Sequence, residues 1–284
     1  MSLIDGRKLA DTLLEEFRRA ISTFSSTPLL VDLVVGDDPV TLSYVRVKEK
    51  TAVSIGIGFR LEQLSKHSKT SEVLDLLKRL QKNDSLCGLI VQLPLPASID
   101  KAKVLGAIPA MIDVDCIGSE NLSAFYSGSP RYIPPAAAAV MHILSQLPVD
   151  FSFKTFVILG QGELVGRPVR HLIRKKGWNV KSLDRATPNM EQILKQADVV
   201  VLAAGQPKLV TGQILKPGAI VIDAGTSESG GNIVGDADRE SVEKVASYYA
   251  PVPGGVGPLT VAMLFRNLLS AYRLKHKRRL DPHG

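Results

Sequence analysis

Apolar positions along this chain follow two spacings in turn, and that alternation predicts its architecture. Residues 5–22 carry apolar side chains at helical spacing and predict an amphipathic helix. The run PLLVDLVV (28–35) is nearly continuous in Leu and Val, as in a strand covered on both faces, and it stops at Gly36-Asp37-Asp38-Pro39. Helical spacing returns over 40–55, followed by a strand over GFRLEQL (58–64), a helix over 71–82 and a strand over LCGLIVQL (86–93). After an alanine-rich helix at about 135–147 the rhythm restarts. Strands over 154–160, 178–184, 197–205 and 218–225 alternate with a helix from about 165 and another over 189–196. The segment LTVAMLFRNLLSAYRLK (259–275) closes the pattern as a helix. The chain therefore reads as two α/β units with parallel sheets and a final helix.

Composition narrows the class. With 284 residues, 45% of them hydrophobic, there is material for two ordinary domains with substantial cores. The absence of an 18-residue apolar run predicts no membrane span. The N-terminus carries acids early and lacks an apolar h-region, which argues against a signal peptide. Two cysteines, Cys87 and Cys116, outside any C-x-x-C pair predict no disulfide framework and favour a reducing cytoplasm. Five histidines without ligand spacing predict no metal. The net charge is +7, partly from KHKRR (275–279). No aromatic residues interleave with those basic ones, so the run reads as a solvated helix end and not as a nucleic-acid surface. A basic balance suits an acidic small-molecule substrate.

Three stretches carry candidate chemistry. FVILGQGELVGRP (156–168) runs from a strand through Gly160, Gly162 and Gly166 into a helix, one residue longer than the common dinucleotide turn. Such glycines let backbone N–H groups approach phosphate oxygens at a helix's positive end, and Pro168 costs little so near that start. Strand ends at Gly205 and Gly225 predict a crevice at the carboxyl edge of the sheet. Tyr44 and Lys48 lie four apart and share a helix face. A lysine at that spacing is commonly a surface residue. A Tyr-x-x-x-Lys pair also marks short-chain dehydrogenases, but there it follows the nucleotide turn and here it precedes it. Gln92 ends a strand before a Pro-x-Pro turn, either as a turn-bonding amide or as a site residue. Asp113, Asp115, Glu120 and Asn121 cluster in a predicted loop, as helix caps or as part of a site, and 250–260 is a Pro- and Gly-rich shaped loop.

Taken in order, these pieces resemble one family over the whole chain, the bifunctional methylenetetrahydrofolate dehydrogenase/cyclohydrolases (FolD). They are Gly36 and Pro39 with Tyr44 and Lys48, VQLPLP (91–96), DVD (113–115), the G-x-G-x-x-V-G-x-P turn (160–168), VGD (234–236) and PVPGGVGPLT (251–260). The resemblance implies two α/β domains flanking a cleft. One, over 1–135 plus 262–284, would bind folate and carry catalysis; the other, over 136–261, would be a Rossmann-like NAD(P)-binding domain. It implies oxidation of 5,10-methylenetetrahydrofolate and hydrolysis of the methenyl product to 10-formyltetrahydrofolate. It further implies tetrahydrofolate derivatives as ligands, a cytoplasmic homodimer, and no nucleic-acid or membrane partner. A monofunctional folate dehydrogenase, or another two-domain NAD(P) dehydrogenase, is the alternative, and the order of Tyr-x-x-x-Lys and PVPGGVGP argues against the latter.

By the same resemblance Lys48 is the catalytic lysine, Tyr44 stacks on the aminobenzoyl ring, Gln92 bonds and tunes the lysine, and Asp115 holds the pterin. Leu93 and Pro94 border the folate, while Gly254, Gly255 and Pro258 border folate and nicotinamide. Gly160, Gln161, Gly162, Val165, Gly166, Pro168 and Gly205 fall to the cofactor. Hydride transfer between two bound ligands is chiefly an alignment task. Hydrolysis needs a proton relay near neutral pH, which a desolvated lysine provides.

The chain departs from the family pattern at several places. G-R-S becomes Gly160-Gln161-Gly162, C-H-S-x-T becomes Leu183-Asp184-Arg185-Ala186-Thr187, and P-C-T-P becomes Pro134-Pro135-Ala136-Ala137. Ile112 replaces the lysine before D-V-D, and Ala250 replaces the threonine before P-V-P-G-G. In the family the missing Arg and Ser serve the 2′-phosphate of NADP. An acid such as Asp184 bonds the ribose 2′-OH of NAD, whereas Arg185 beside it suits a 2′-phosphate. NADP is the family default and Asp184 favours NAD.

Overall fold

The computed structural model describes residues 1–229 and 232–280. Two compact units divide the chain: Met1–Asp11 with Pro134–Met263, and Thr12–Ile133 with the chain from Leu264 onward.

In chain order, β1 (Ser2–Leu3) leads into α1 (Gly6–Ile21). β2 (Leu29–Val35), α2 (Pro39–Ser54), β3 (Gly58–Leu64), α3 (Thr70–Leu80) and β4 (Leu86–Val91) follow, then two short helices, α4 (Lys101–Gly106) and α5 (Ser119–Ser127). The three strands pair in parallel in the order β3-β2-β4. Val31, Leu33 and Val35 of β2 pack with Leu76 and Leu77 of α3 and with Leu89 and Val91 of β4 in one buried core. Side chains alternate along a strand, so Leu30, Asp32 and Val34 face the other way.

The remaining elements are α6 (Pro135–Ser145), β5 (Thr155–Leu159), α7 (Gly166–Lys175), β6 (Asn179–Leu183), α8 (Met190–Leu194), β7 (Val199–Leu202) and β8 (Ile220–Asp223). After them come β9 (Ser227–Ser229), β10 (Asn232–Val234), α9 (Arg239–Glu243), β11 (Tyr248–Ala250) and α10 (Val256–Leu280). Six strands form a parallel sheet in the order β1-β11-β8-β7-β5-β6. The chain leaves β5 for β6 on one side and returns to lay β7 on the other. The carboxyl ends of β5 and β7 therefore mark the topological switch point where such sheets bind ligands.

The short strands β1 and β11 carry too few residues to show a period. The Ser2 N–H donates to Ser247 O at 2.8 Å and the Ile4 N–H to Tyr249 O at 2.8 Å, so residues 1–11 belong with the larger sheet. The last helix begins at Val256, earlier than its apolar period predicts, because Pro258 falls in the first turn, where no N–H has an intrahelical acceptor. The basic run continues this helix: Lys275 Nζ donates to Leu86 O at 3.0 Å and the His276 ring lies 4.0 Å from that of Tyr272. The side chains of Arg278 and Arg279 lie outside the described residues. Among the described residues, no helix is long and apolar enough to cross a membrane.

Candidate active site

Chemistry-bearing side chains in the Thr12–Ile133 unit converge on one buried amine. Asp38 caps α2 by accepting the Thr41 N–H at 2.8 Å, and Pro39 sits at its first turn. That start fixes the phase of the helix, so Val45, Lys48 and Ala52 form its buried stripe. Lys48 thus occupies a position where the pattern asks for an apolar residue.

The strands supply its partners. Lys48 Nζ lies 2.5 Å from Asp32 Oδ2, with the two side chains 4% and 0% exposed. The pair is close but poorly aligned: neither Asp32 oxygen has a donor in good hydrogen-bond geometry, and the contact is best treated as charge pairing. Lys48 Nζ also donates to Gln92 Oε1 at 2.7 Å, and Gln92 Nε2 donates to Leu93 O at 3.1 Å. Strand register explains the convergence. Asp32 pairs with Ile90 of β4, and Gln92 lies two residues further on the same face. The ammonium is 5.2 Å from the centroid of the Tyr44 ring, within cation–π range, and Tyr44 is 37% exposed.

Asp115 enters on a loop built by its neighbour. The fully buried Asp113 accepts the N–H groups of Ile117 and Gly118 at 3.1 and 3.0 Å and the Asn121 amide at 2.9 Å. Leu89 N–H donates to Ile112 O at 2.7 Å, which pins this loop beside β4. Burial pushes the Asp115 carboxyl up to about 6; the Lys48 charge opposes the shift, and Asp113 and Asp32 add to it. Burial likewise raises Asp32, with Lys48 opposing.

Tyr44, Lys48 and Gln92 are therefore in direct contact range, and Asp115 is coupled to them by charge. Leu93 and Pro94 follow Gln92 and are joined to each other by a cis peptide. Gly254, Gly255 and Pro258 lie in the other compact unit, where Gly6 N–H donates to Gly254 O at 2.9 Å and Gly255 N–H to Pro251 O at 2.7 Å. Asp32 is the residue that the sequence reading passed over. Its signal was a lone charge inside PLLVDLVV, which requires a buried partner.

The glycine turn occupies the switch point of the larger sheet. Gly160 has φ 104°, its N–H donates to Leu183 O at 2.9 Å, and an added Cβ would overlap the Ala203 carbonyl. α7 starts at Gly166 with no side-chain cap from Val165, while Pro168 is buried in its first turn. Gly162 faces open space, and Gln161, whose Nε2 donates to Gly160 O at 2.8 Å, keeps a buried Oε1 without a partner. An uncapped helix end, an open glycine and a spare acceptor fit a dinucleotide's phosphates and hydroxyls. Leu159 pairs with Leu183, which places Asp184 beside Gly160. Asp184 Oδ1 accepts Ala186 N–H at 3.0 Å and Thr187 Oγ1 at 2.9 Å, and Arg185 is exposed.

Two buried acids brace the opposite side of this turn. Asp236 accepts the N–H groups of Ala204, Gly205 and Gln206 at 2.6, 3.2 and 2.6 Å. Asp223 in turn accepts those of Gly225, Asp236 and Ala237 at 3.0, 3.1 and 2.9 Å. Burial pushes the Asp223 carboxyl up to about 6, against the pull of the N–H groups. A raised carboxyl binds its proton more tightly in the folded state, so its stabilisation is complete below pH ~4 and fades as pH rises through ~6. The melting temperature of the native chain minus that of Asp223→Asn should fall across this window; a constant difference would contradict the assignment. Among the described residues no group of three His, Cys, Asp or Glu side chains is arranged for a metal.

Residues 4–115 match the catalytic domain of the tetrahydrofolate dehydrogenase/cyclohydrolases, and residues 134–276 match their NAD(P)-binding domain. The chain is 38% identical over 274 residues to the bifunctional protein FolD of Halothermothrix orenii, covering 95% of this chain and 97% of that protein. The crystal structure of the bifunctional FolD enzyme from Campylobacter jejuni superposes with a TM-score of 0.92 at 34% identity, covering 96% of this chain and 99% of that one. The Trypanosoma brucei enzyme, solved with NADP and an inhibitor, gives a TM-score of 0.91 at 33% identity over 98% of each chain.

Proposed function

The chain belongs to the tetrahydrofolate dehydrogenase/cyclohydrolase family, and we propose that it oxidises 5,10-methylenetetrahydrofolate with NAD(P)+ and hydrolyses the methenyl product to 10-formyltetrahydrofolate. The observation that carries this reading is the buried Lys48 amine, held by Gln92 and Asp32 under a half-open tyrosine ring. A lysine so placed has no structural need of its position, since an apolar residue would fill the stripe of α2 at lower cost.

Each side chain has a task. The exposed face of Tyr44 offers a stacking surface for the aromatic part of a folate. Asp115, raised toward neutrality, bonds the N–H groups of the pterin. Leu93 and Pro94, which follow Gln92, border the folate. In the hydrolytic step Lys48 takes a proton from the attacking water and returns one to the ring nitrogen as its bond to the one-carbon unit breaks. Gln92 keeps the amine aimed throughout. Backbone N–H groups of the turn from Gly160 through Gly162, Val165 and Gly166 would hold the dinucleotide's phosphates, with Gln161, Pro168 and Gly205 shaping the cradle. When bound, the nicotinamide supplies the hydride acceptor.

The residues after β6 support NAD over NADP. Asp184 presents a carboxylate where a 2′-phosphate would be repelled. Replacing it, Asp184→Ser, should shift the ratio of kcat/KM values toward NADP by about ten-fold or more, leaving Arg185 to bind the phosphate. An unchanged ratio would remove the argument for NAD. The two buried cysteines, Cys87 and Cys116, which form no disulfide, support a reducing cytoplasm as the working location, and family resemblance supports a homodimer. Mixing the protein with 5,10-methylenetetrahydrofolate and NAD or NADP, and following methenyltetrahydrofolate absorbance, tests the oxidation; no turnover with either nucleotide would sink it.

A further inference from the structure

Asp32 holds Lys48 but has no part in the proton transfers assigned above, and its setting is unusual. It lies at the middle of the central strand β2, is fully buried, and keeps Oδ1 without any hydrogen-bond donor among the described residues. A carboxylate held only for stability would be surrounded by donors, as Asp113 and Asp223 are in this same chain. Asp32 instead makes one ion pair among the described residues, with the Lys48 ammonium at 2.5 Å. The other polar and titratable groups around the pair among the described residues are Gln92 just after β4, Tyr44 from α2, and Asp115 from the loop beside β4, itself next to Asp113. Among them Gln92 reaches Lys48 by a hydrogen bond and Tyr44 by its ring face, so only Asp32 touches the ammonium as an anion.

We infer that Asp32 is a positioning residue for the hydrolytic step, one that holds Lys48 against Gln92 and stores one of its protons. The exchange is balanced within the pair. An N–H bond of the Lys48 ammonium breaks, its electron pair stays on nitrogen, and an O–H bond forms on Asp32 Oδ2. Two opposite charges become a neutral amine and a neutral acid, an exchange that burial in a low-dielectric strand favours. The amine is then ready to accept a proton from water while Gln92 still receives one of its N–H groups. The pair carries the same number of protons before and after, so the supply of free amine does not depend on pH once the pair has lost its first proton. This inference rests on the hydrolase reading proposed above.

The test is the pH profile of methenyltetrahydrofolate hydrolysis, measured without any nucleotide. In Asp32→Asn, kcat should fall by about ten-fold or more with KM within about two-fold. The acidic limb should move at least about one pH unit to the alkaline side, because the carboxyl that shares the pair's proton is then gone. Asp32→Glu should return the limb toward its native position. A limb in Asp32→Asn that superimposes on the native one would overturn the inference, even if the rate fell. Should Asp32→Asn not fold, the infrared C=O band of protonated carboxyls decides the matter in an Asp115→Asn background, where Asp32 is the carboxyl left beside Lys48. Adding Lys48→Met there should move one carboxyl titration to higher pH; no movement overturns the inference. A native chain that fails to hydrolyse the substrate at all instead sinks the reading on which this one rests.

Discussion

Lys48→Met should lower the hydrolysis of 5,10-methenyltetrahydrofolate by about 10²- to 10⁴-fold, the range that positioned general acid–base groups supply. Methionine keeps the length and apolar stem of the side chain, so the buried stripe of α2 with Val45 and Ala52 stays filled. What it removes is the group that, among the described residues, donates to Gln92 Oε1 and faces Asp32. Breaking a buried ion pair usually costs about 3–5 kcal/mol because one charge is stranded. Here the stranded group is Asp32, whose carboxyl burial already raises, so it takes up a proton and the loss is smaller. The variant should therefore fold, and fold better as pH falls. Asp32→Val combined with Lys48→Met should recover the native melting temperature without recovering activity. A Lys48→Met protein that hydrolyses the substrate at the native rate would show that the proton moves elsewhere.

Asp236→Ala should separate the two activities. The native carboxylate gathers three consecutive N–H groups, from Ala204, Gly205 and Gln206, at the carboxyl end of β7. Hydrogen bonds to a charged acceptor contribute about 1.5–3 kcal/mol each, and an unpaired buried donor costs a comparable amount, so a loss of about 3 kcal/mol or more is expected. The Asp236 backbone N–H would still donate to Asp223, which would be relieved of a like-charged neighbour. With Gly205 released, dinucleotide affinity and dehydrogenase turnover should fall by about ten-fold or more, whereas nucleotide-free hydrolysis should change by less than about two-fold. Melting curves, nucleotide titration and the two assays check this together. Equal losses in both activities would mean that the brace serves general folding and not the nucleotide turn.

The larger features were legible in the chain because they rest on local rules. The strand-to-helix alternation, the Gly160–Gly166 turn and the phase of α2 each follow from residues close in sequence. Cap and proline at Asp38 and Pro39 set Lys48 on its face, and apolar runs of Leu and Val announce β2, β4 and β5. What escaped was held by distant pairing. β1 is two residues long and exists because β11 lies beside it. Asp32 was swallowed by the run around it, although it and Lys48 were each misfits in their own pattern, and the two misfits solve each other. Asp236 was part of a recognised VGD stretch, but its donors at 204–206 lie some thirty residues away in sequence, so its bracing role appears only in the folded chain. The Pro- and Gly-rich composition of 250–260 predicts one loop, yet Pro258 belongs to the first turn of α10.

We propose above all that this chain opens a methenyltetrahydrofolate ring with its own buried lysine. The most direct measurement offers the native protein chemically prepared 5,10-methenyltetrahydrofolate in the absence of any nucleotide and follows the decay of its absorbance. Decay should run well above the buffer rate and yield 10-formyltetrahydrofolate, and the excess should be lost in Lys48→Met. Decay no faster than in buffer alone would contradict it.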